Sequence, residues 1–329
     1  MSKSYTEINY SIRPAKNIER KMMAETFKRL YHFEDLNDYQ YIGMGSPFFC
    51  DFKLFHNELG ITDMFCIEKE ENDKDRFEFN KPFDCISIKY CEALKALSLL
   101  DWSQRKIIWL DYDGKFDSGI LQAIDQCVSN VASGSIIAIS SNVAFQKEEA
   151  IVKYDEYGNK AVTIKAPPLD ALIERVGREK IPLRVKDEDL TGWGGAKVCR
   201  EISSNIVENA LFIRNENVPE KQKMHASQIF NFKYFDGAKM STYGWIIYSE
   251  TEKDLYEKCH FEKLNFIKEE EKEEFIQIPS LTLNELTELN KQLPNDLNNI
   301  KFPIIPKSDI KKYHNNYRYF PNFIDAGLF

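Results

Sequence analysis

Between Tyr39 and Ser140 the chain alternates short, near-continuous apolar runs with amphipathic stretches. The runs are Tyr39–Gly43, Asp63–Glu68, Asp84–Ile88, Lys106–Asp111 and Ser135–Ser140. Helical spacing separates them: Phe49–Leu59, stopped by Gly60; a run through Leu94, Leu97 and Leu100; and Ser118–Ala132, after which Gly134 turns the chain. Strands so uniformly apolar must be covered on both faces, and helices between them supply the crossovers of a parallel sheet. The rhythm predicts an α/β fold with a doubly wound, mostly parallel sheet.

At 329 residues the chain is long enough for one large domain with a smaller appendage. Hydrophobic residues make up 43% and charged residues 29%, a globular balance. A net charge of −8 argues against coating nucleic acid through the overall field, but leaves room for a local basic patch. The seven cysteines form no CxxC pair, which speaks against a disulfide framework or zinc ribbon and fits a reducing cytoplasm. No apolar run is long enough to cross a membrane, and Met1–Tyr5 lacks a signal-peptide core. A soluble cytoplasmic protein is expected.

Residues 141–228 leave the β–α rhythm. They hold Pro167-Pro168, the loop Thr191-Gly-Trp-Gly-Gly195 and a helical run from about Cys199 to Phe212. The expectation is an insertion that helps form a substrate pocket, with the glycine-rich loop as a lid or an exposed turn. Gln228–Phe235 and Ser241–Ser249 then read as a hairpin closing one sheet edge. The charged run Lys268–Glu274 reads as solvated, Leu283–Leu293 as helical, and Tyr313–Pro321 as an aromatic tail packed on the main domain. The expected organisation is a basic helical segment over 1–35, the α/β domain over 36–250 and an extension over 251–329.

The first strand ends in Tyr41-Ile-Gly-Met-Gly-Ser46, and the second ends in Glu68. Glycines after strand one let backbone and ligand approach, and an acid after strand two can accept from ribose hydroxyls. Phe48 stands where an NAD-binding GxGxxG needs its last small residue, and no Gly-Lys-Ser/Thr follows for a phosphate loop. Glu92 follows strand three and Asp111 ends strand four.

With these residues the chain resembles the class I S-adenosylmethionine-dependent methyltransferases, and among them a bacterial O-methyltransferase-like group, over about residues 36–250. The resemblance implies a Rossmann-like sheet with a terminal antiparallel strand, and S-adenosylmethionine as cofactor. It assigns Gly43, Gly45 and Ser46 to the methionine part, Glu68 to the ribose, Glu92 to the adenine side, and Asp111 to the place where cofactor and substrate meet. Tyr41 replaces the acid that opens the family's glycine motif, and Pro47 its third glycine.

Asp111-Tyr-Asp-Gly114 is the candidate catalytic stretch, where Asp111 or Asp113 could orient a methyl acceptor or take its proton. Asp113-Gly114 also has the composition of a plain turn. The five histidines show no metal-ligand spacing, and no metal is expected.

Ser11-Ile-Arg-Pro14 starts a helix on which Arg13, Lys16 and Arg20 share one side. That side is read first as a solvated face and second as a contact for phosphate or substrate. The second option keeps open a non-catalytic nucleotide- or nucleic-acid-binding module, in a bacterial defence setting, whose affinity would depend on salt. The methyl acceptor and the oligomeric state are not legible.

Overall fold

The computed structural model describes residues 13–154, 160–268 and 272–321. Five parallel strands form the heart of the sheet: β1 (Gln40–Met44), β2 (Asp63–Glu68), β3 (Ile86–Tyr90), β4 (Lys106–Lys115) and β5 (Ser135–Asn142). After a separate hairpin, β6 (Glu149–Tyr154) with β7 (Lys160–Ala166), the sheet resumes with β8 (Met224–Phe235), β9 (Lys239–Ser249) and β10 (Glu274–Ile276). The eight strands of the large sheet run β10-β8-β9-β5-β4-β1-β2-β3. Strand β9 is antiparallel to both β5 and β8, while β10 lies parallel to β8. The order reverses between β1 and β4, and that switch point is where open α/β sheets form a crevice at their carboxyl ends.

Alternation along each strand builds two cores. Tyr41, Trp109 and Ala138 face one cluster, and their neighbours Ile42, Leu110 and Ile139 face the other. The first cluster takes α1 (Pro14–Lys28), α2 (Cys50–Leu59) and Phe77 of α3 (Lys74–Asn80). The second takes α4 (Ala93–Leu97), α5 (Ser118–Asn130), α6 (Pro168–Val176) and α7 (Gly194–Arg214). The sheet is therefore sandwiched between helices, as the unbroken apolar strands require. A small satellite core joins α9 (Leu283–Asn290) to α10 (Lys307–Asn316), and α8 (Lys253–Lys258) precedes it in the chain.

Strand β2 and the stop of α2 at Gly60 fall where the sequence puts them; Gly60 has a φ of +72°, a conformation glycine tolerates best. Four expectations change. Asp113-Gly114 is not a turn: β4 continues through it to Lys115 with a register irregularity after Asp111. The hairpin β8–β9 does not close the edge, because β10, hidden in sequence behind a charged run, adds outside it.

The glycine-rich loop is shorter than it reads, since Gly194 and Gly195 already belong to α7. A Cβ on Gly194 would stand 2.0 Å from the Asp189 carbonyl oxygen, so that glycine serves close packing. Finally, α1 lies against the sheet instead of standing as a solvated helix, with Ile18, Met22, Met23 and Phe27 in the first core. Its expected cap Ser11 is outside the described residues, where Arg13 precedes the helix. The aromatic tail packs as expected: Tyr313 and Tyr319 are buried, and the Tyr319 hydroxyl donates to Glu25 of α1.

Candidate functional site at the carboxyl end of the sheet

Gly43 sits on β1 at the switch point, paired with Cys66 on one side and Trp109 on the other. Its missing Cβ makes room for Tyr41, whose hydroxyl oxygen would be 2.6 Å from such an atom. Gly45 follows, its N–H donating to the Ile67 carbonyl at 2.7 Å. A Cβ there would lie 2.9 Å from Glu68 Oε2 and 3.0 Å from Cys66 Sγ. Thus the turn is drawn against the acid that ends β2. The Ser46 carbonyl accepts from the Phe49 N–H at 3.1 Å, and its hydroxyl accepts from the Phe48 N–H at 3.4 Å. Phe49 closes the turn with a φ of +46°, an uncommon conformation for a side chain this bulky. Its ring, fully buried against Phe52 and Phe77, holds it there.

Glu68 is only 7% exposed. Its Oε1 accepts from the Glu70 N–H at 2.9 Å. Burial pushes its carboxyl above the ordinary value, against the pull of the backbone N–H groups of Glu70 and Lys69. Glu92 lies beyond the end of β3, exposed, as the extended residue that leads into α4. Asp113 is also exposed, two positions past Asp111 along β4.

Asp111 is engaged by a helix the sequence did not connect to it. Lys16 of α1, 2% exposed, donates to Asp111 Oδ1 at 2.6 Å and to the Tyr234 hydroxyl at 2.9 Å, and pairs with Glu19 Oε2 at 2.8 Å. Its ammonium also rests 4.4 Å from the centre of the Trp109 ring. Two hydrogen bonds and one ion pair therefore hold the ammonium among three oxygens. Burial alone would lower the Lys16 pKa, but Asp111 and Glu19 beside it carry it well above the ordinary value, so it stays charged.

From Glu19 a chain of hydroxyls runs back into the sheet. Thr242 donates to Glu19, Ser140 bonds Thr242 at 2.6 Å, and the Trp109 indole N–H donates to Ser140 at 2.9 Å. Burial raises the Glu19 carboxyl despite its lysine partner.

Arg20, one residue on, is 6% exposed and interacts electrostatically with Cys50, Asp51, Asp111 and Glu19. Arg13 pairs with Asp236 in the β8–β9 turn at 3.2 Å. The reading of Arg13, Lys16 and Arg20 as a solvated face is thus corrected. Each of the three meets acids within the fold. No local pattern reveals this, because the partner Asp111 lies 95 residues away.

Asp111 and Asp113 gather no further ligands: among the described residues no three His, Cys, Asp or Glu side chains come together as a metal set. No helix among them is long and apolar enough to cross a membrane.

The family described as "Putative O-methyltransferase" matches residues 8–328. The chain belongs to this family. The match covers nearly the whole sequence, including α1 and the C-terminal extension that the sequence reading set apart. The Rossmann-like methyltransferase architecture expected from the glycine turn and strand acids is the one observed.

Among solved structures the chain is similar to Trm1 from Pyrococcus horikoshii, in complex with S-adenosyl-L-methionine, at 11% identity, over 72% of this chain and 57% of that one, with a TM-score of 0.40. It is similar to an S-adenosylmethionine-dependent methyltransferase from Mesorhizobium loti at 10% identity, over 67% and 97% of the two chains, TM-score 0.36. Another from Clostridium acetobutylicum gives 10%, 70% and 92%, with a TM-score of 0.34. The chain spans less than two thirds of the archaeal Trm1, and none of the three superposes closely enough to assign a residue its role. No curated protein matches in sequence.

Proposed function

We propose that this protein transfers a methyl group from S-adenosylmethionine to an oxygen of an acceptor molecule. The observation that carries this reading is the buried Glu68 carboxyl held against the glycine turn, where a Cβ on Gly45 would come within 2.9 Å of Glu68 Oε2. An acid at the end of β2, with acceptor capacity left beside a close-approach backbone turn, suits a ribose diol. Gly43, Gly45 and Ser46 would line the methionine part and Glu92 the adenine side.

When bound, S-adenosylmethionine supplies a methyl group activated by its sulfonium. The protein's share is positioning. Asp111, 22% exposed on its side chain, presents its carboxylate where the register of β4 breaks, and Lys16 fixes one oxygen of it. The other is left to orient an acceptor hydroxyl or receive its proton. The exposed Asp113 is assigned a weaker share in contacting the acceptor.

Calorimetric titration with S-adenosylmethionine and S-adenosylhomocysteine tests the reading. Binding by the native chain, weakened by Glu68→Ala, is expected. Absence of binding, or binding indifferent to Glu68→Ala, would remove it.

A further inference from the structure

Strands β6 and β7 form a two-stranded ribbon outside the large sheet. Its base is anchored: Lys115 of β4 donates to the buried Glu149, and Ile151 and Ala166 pack on Ala171 of α6. Beyond that base the two strands differ. Ile151 on β6 is 8% exposed, while its partner across the ladder, Ile164 on β7, is 40% exposed. Val162 is 50% exposed, and Thr163 and Lys165 are exposed as well. Strand β7 is therefore open on both faces, and among the described residues no strand pairs with its outer edge.

Val-Thr-Ile is an odd sequence for such a place. β-branched residues favour strands because they pack against cross-strand neighbours, and here the neighbours on one side are missing. A ribbon of two strands is also marginal in water and gains independent stability from further strands. The large sheet blunts its own edges. Strand β3 exposes Ser87 and Lys89, and β10 is three residues long with Glu274 tied to Lys268 at 3.0 Å. On β7 the lysines stand towards the ends, at 160 and 165, and leave the apolar pair uncovered between them.

A second copy of the chain matches this edge. Antiparallel strands related by a two-fold axis keep the same face up, so Val162 and Ile164 lie on one face of both copies. Centred on Thr163, the strand Lys160-Ala-Val-Thr-Ile-Lys-Ala166 sets Val162 opposite Ile164 of the second copy, twice, and threonine opposite threonine. Each lysine falls opposite an alanine, never opposite a lysine, and Lys165 already has Glu148 at 3.2 Å. The row from Ile151 to Ile164 then continues into Val162 of the second copy, so an apolar stripe crosses the joint.

We infer that β7 pairs antiparallel with β7 of a second copy, joining two ribbons into one four-stranded sheet. The pairing does not depend on the identity of the methyl donor or acceptor.

Sedimentation equilibrium of the full chain from about 1 to about 100 µM tests it, because small interfaces lie at the weak end of affinities. The native protein should pass from monomer to dimer in that range. Val162→Glu combined with Ile164→Glu places like charges opposite each other at exposed positions, and should weaken the dimer by at least about tenfold.

Oxidative cross-linking tests the register separately. Thr163→Cys sets two thiols across the axis with their Cα atoms about 4.5–5.5 Å apart, within disulfide reach. Lys160→Cys leaves them about 20 Å apart, beyond it. Peptide mapping, which separates the new thiol from the seven native cysteines, should find the symmetric disulfide at position 163 and none at 160. A native chain that stays monomeric throughout would overturn the pairing. So would a dimer indifferent to the double substitution, or cross-linking at 160 as ready as at 163.

Discussion

The carboxyl end of the sheet is built in two ways on its two sides. Over β1 and β2 it is made by subtraction: Gly43 and Gly45 lack side chains so that Tyr41 and Glu68 can fold against the turn. Over β4 it is made by addition, with α1 bringing Lys16, Glu19 and Arg20 to the strand beside Asp111. The first side leaves an acid with unused acceptor capacity, which suits a ligand. The second ties Lys16, Glu19, Thr242, Ser140 and Trp109 into one buried network, which suits holding one geometry. A site divided like this separates binding from rigidity, and substitutions on the two sides should fail differently.

The largest effect is expected from Lys16→Ala. It leaves Glu19 and Asp111 facing each other in a buried place without their shared cation. Removing one partner of a buried pair costs about 3–5 kcal/mol, because the remaining charge is uncompensated. Urea unfolding should show a loss of that order, and a loss below about 1 kcal/mol would mean that the network is not a structural unit.

Glu68→Ala should do the opposite, changing stability little and binding much. The loss of charge-assisted bonds to a ribose diol is expected to cost about 1.5–3 kcal/mol of S-adenosylhomocysteine affinity. Should Glu68→Ala unfold the protein as readily as Lys16→Ala, the two sides are not distinct.

A smaller effect is read in pH. Burial raises the Glu68 carboxyl above its unfolded value, so between those two values the folded chain holds more protons than the unfolded one. Its contribution to stability is therefore present below the ordinary glutamate range, near pH 4.3, and is lost as pH rises through the raised folded value. Ligand binding should run the other way, since an ionised carboxylate is the better acceptor for ribose hydroxyls. Titrations of S-adenosylhomocysteine from about pH 5 upward should tighten across this window in the native protein, and Glu68→Gln should flatten the profile. An unchanged profile in the variant would assign the titration elsewhere.

The two sides also differ in how far the sequence discloses them. Strand β2 and the glycine turn are visible because their causes are local: an apolar run, a pair of glycines and a closing acid, all within about thirty residues. The strand from Lys106 is visible too, though not its continuation past Asp113-Gly114, because a good turn pair can also be carried in an irregular strand. The role of α1 is not visible. Arg13, Lys16 and Arg20 at helical spacing read as a solvated stripe, and only tertiary contact, such as Arg13 with Asp236 and Lys16 with Asp111, shows that they turn inward. Tyr41 read as a defect in a motif, because the residue its hydroxyl bonds, Asp51, sits in the next helix. Strand β10 is only three residues long and adjoins a charged run, too little pattern to register.

The smallest expected effect provides the control, and it lies on the same helix. Lys28, at the other end of α1, pairs with Glu58 at 2.8 Å, with both side chains about half exposed. Lys16 and Lys28 thus share a helix, a charge and a pairing distance, and differ in burial. Water screens the outer pair and solvates either partner when the other is lost, so Lys28→Ala should cost no more than about 0.5 kcal/mol. That loss should shrink further in salt, since exposed pairs are screened over about 10 Å at 0.1 M. The Lys16→Ala loss should persist in salt, because ions do not reach a pair this enclosed. Unfolding both variants at low and high ionic strength measures the difference. If the two losses are similar and fall together with salt, the network under Asp111 is open to water, and the contrast between the two sides of the site collapses.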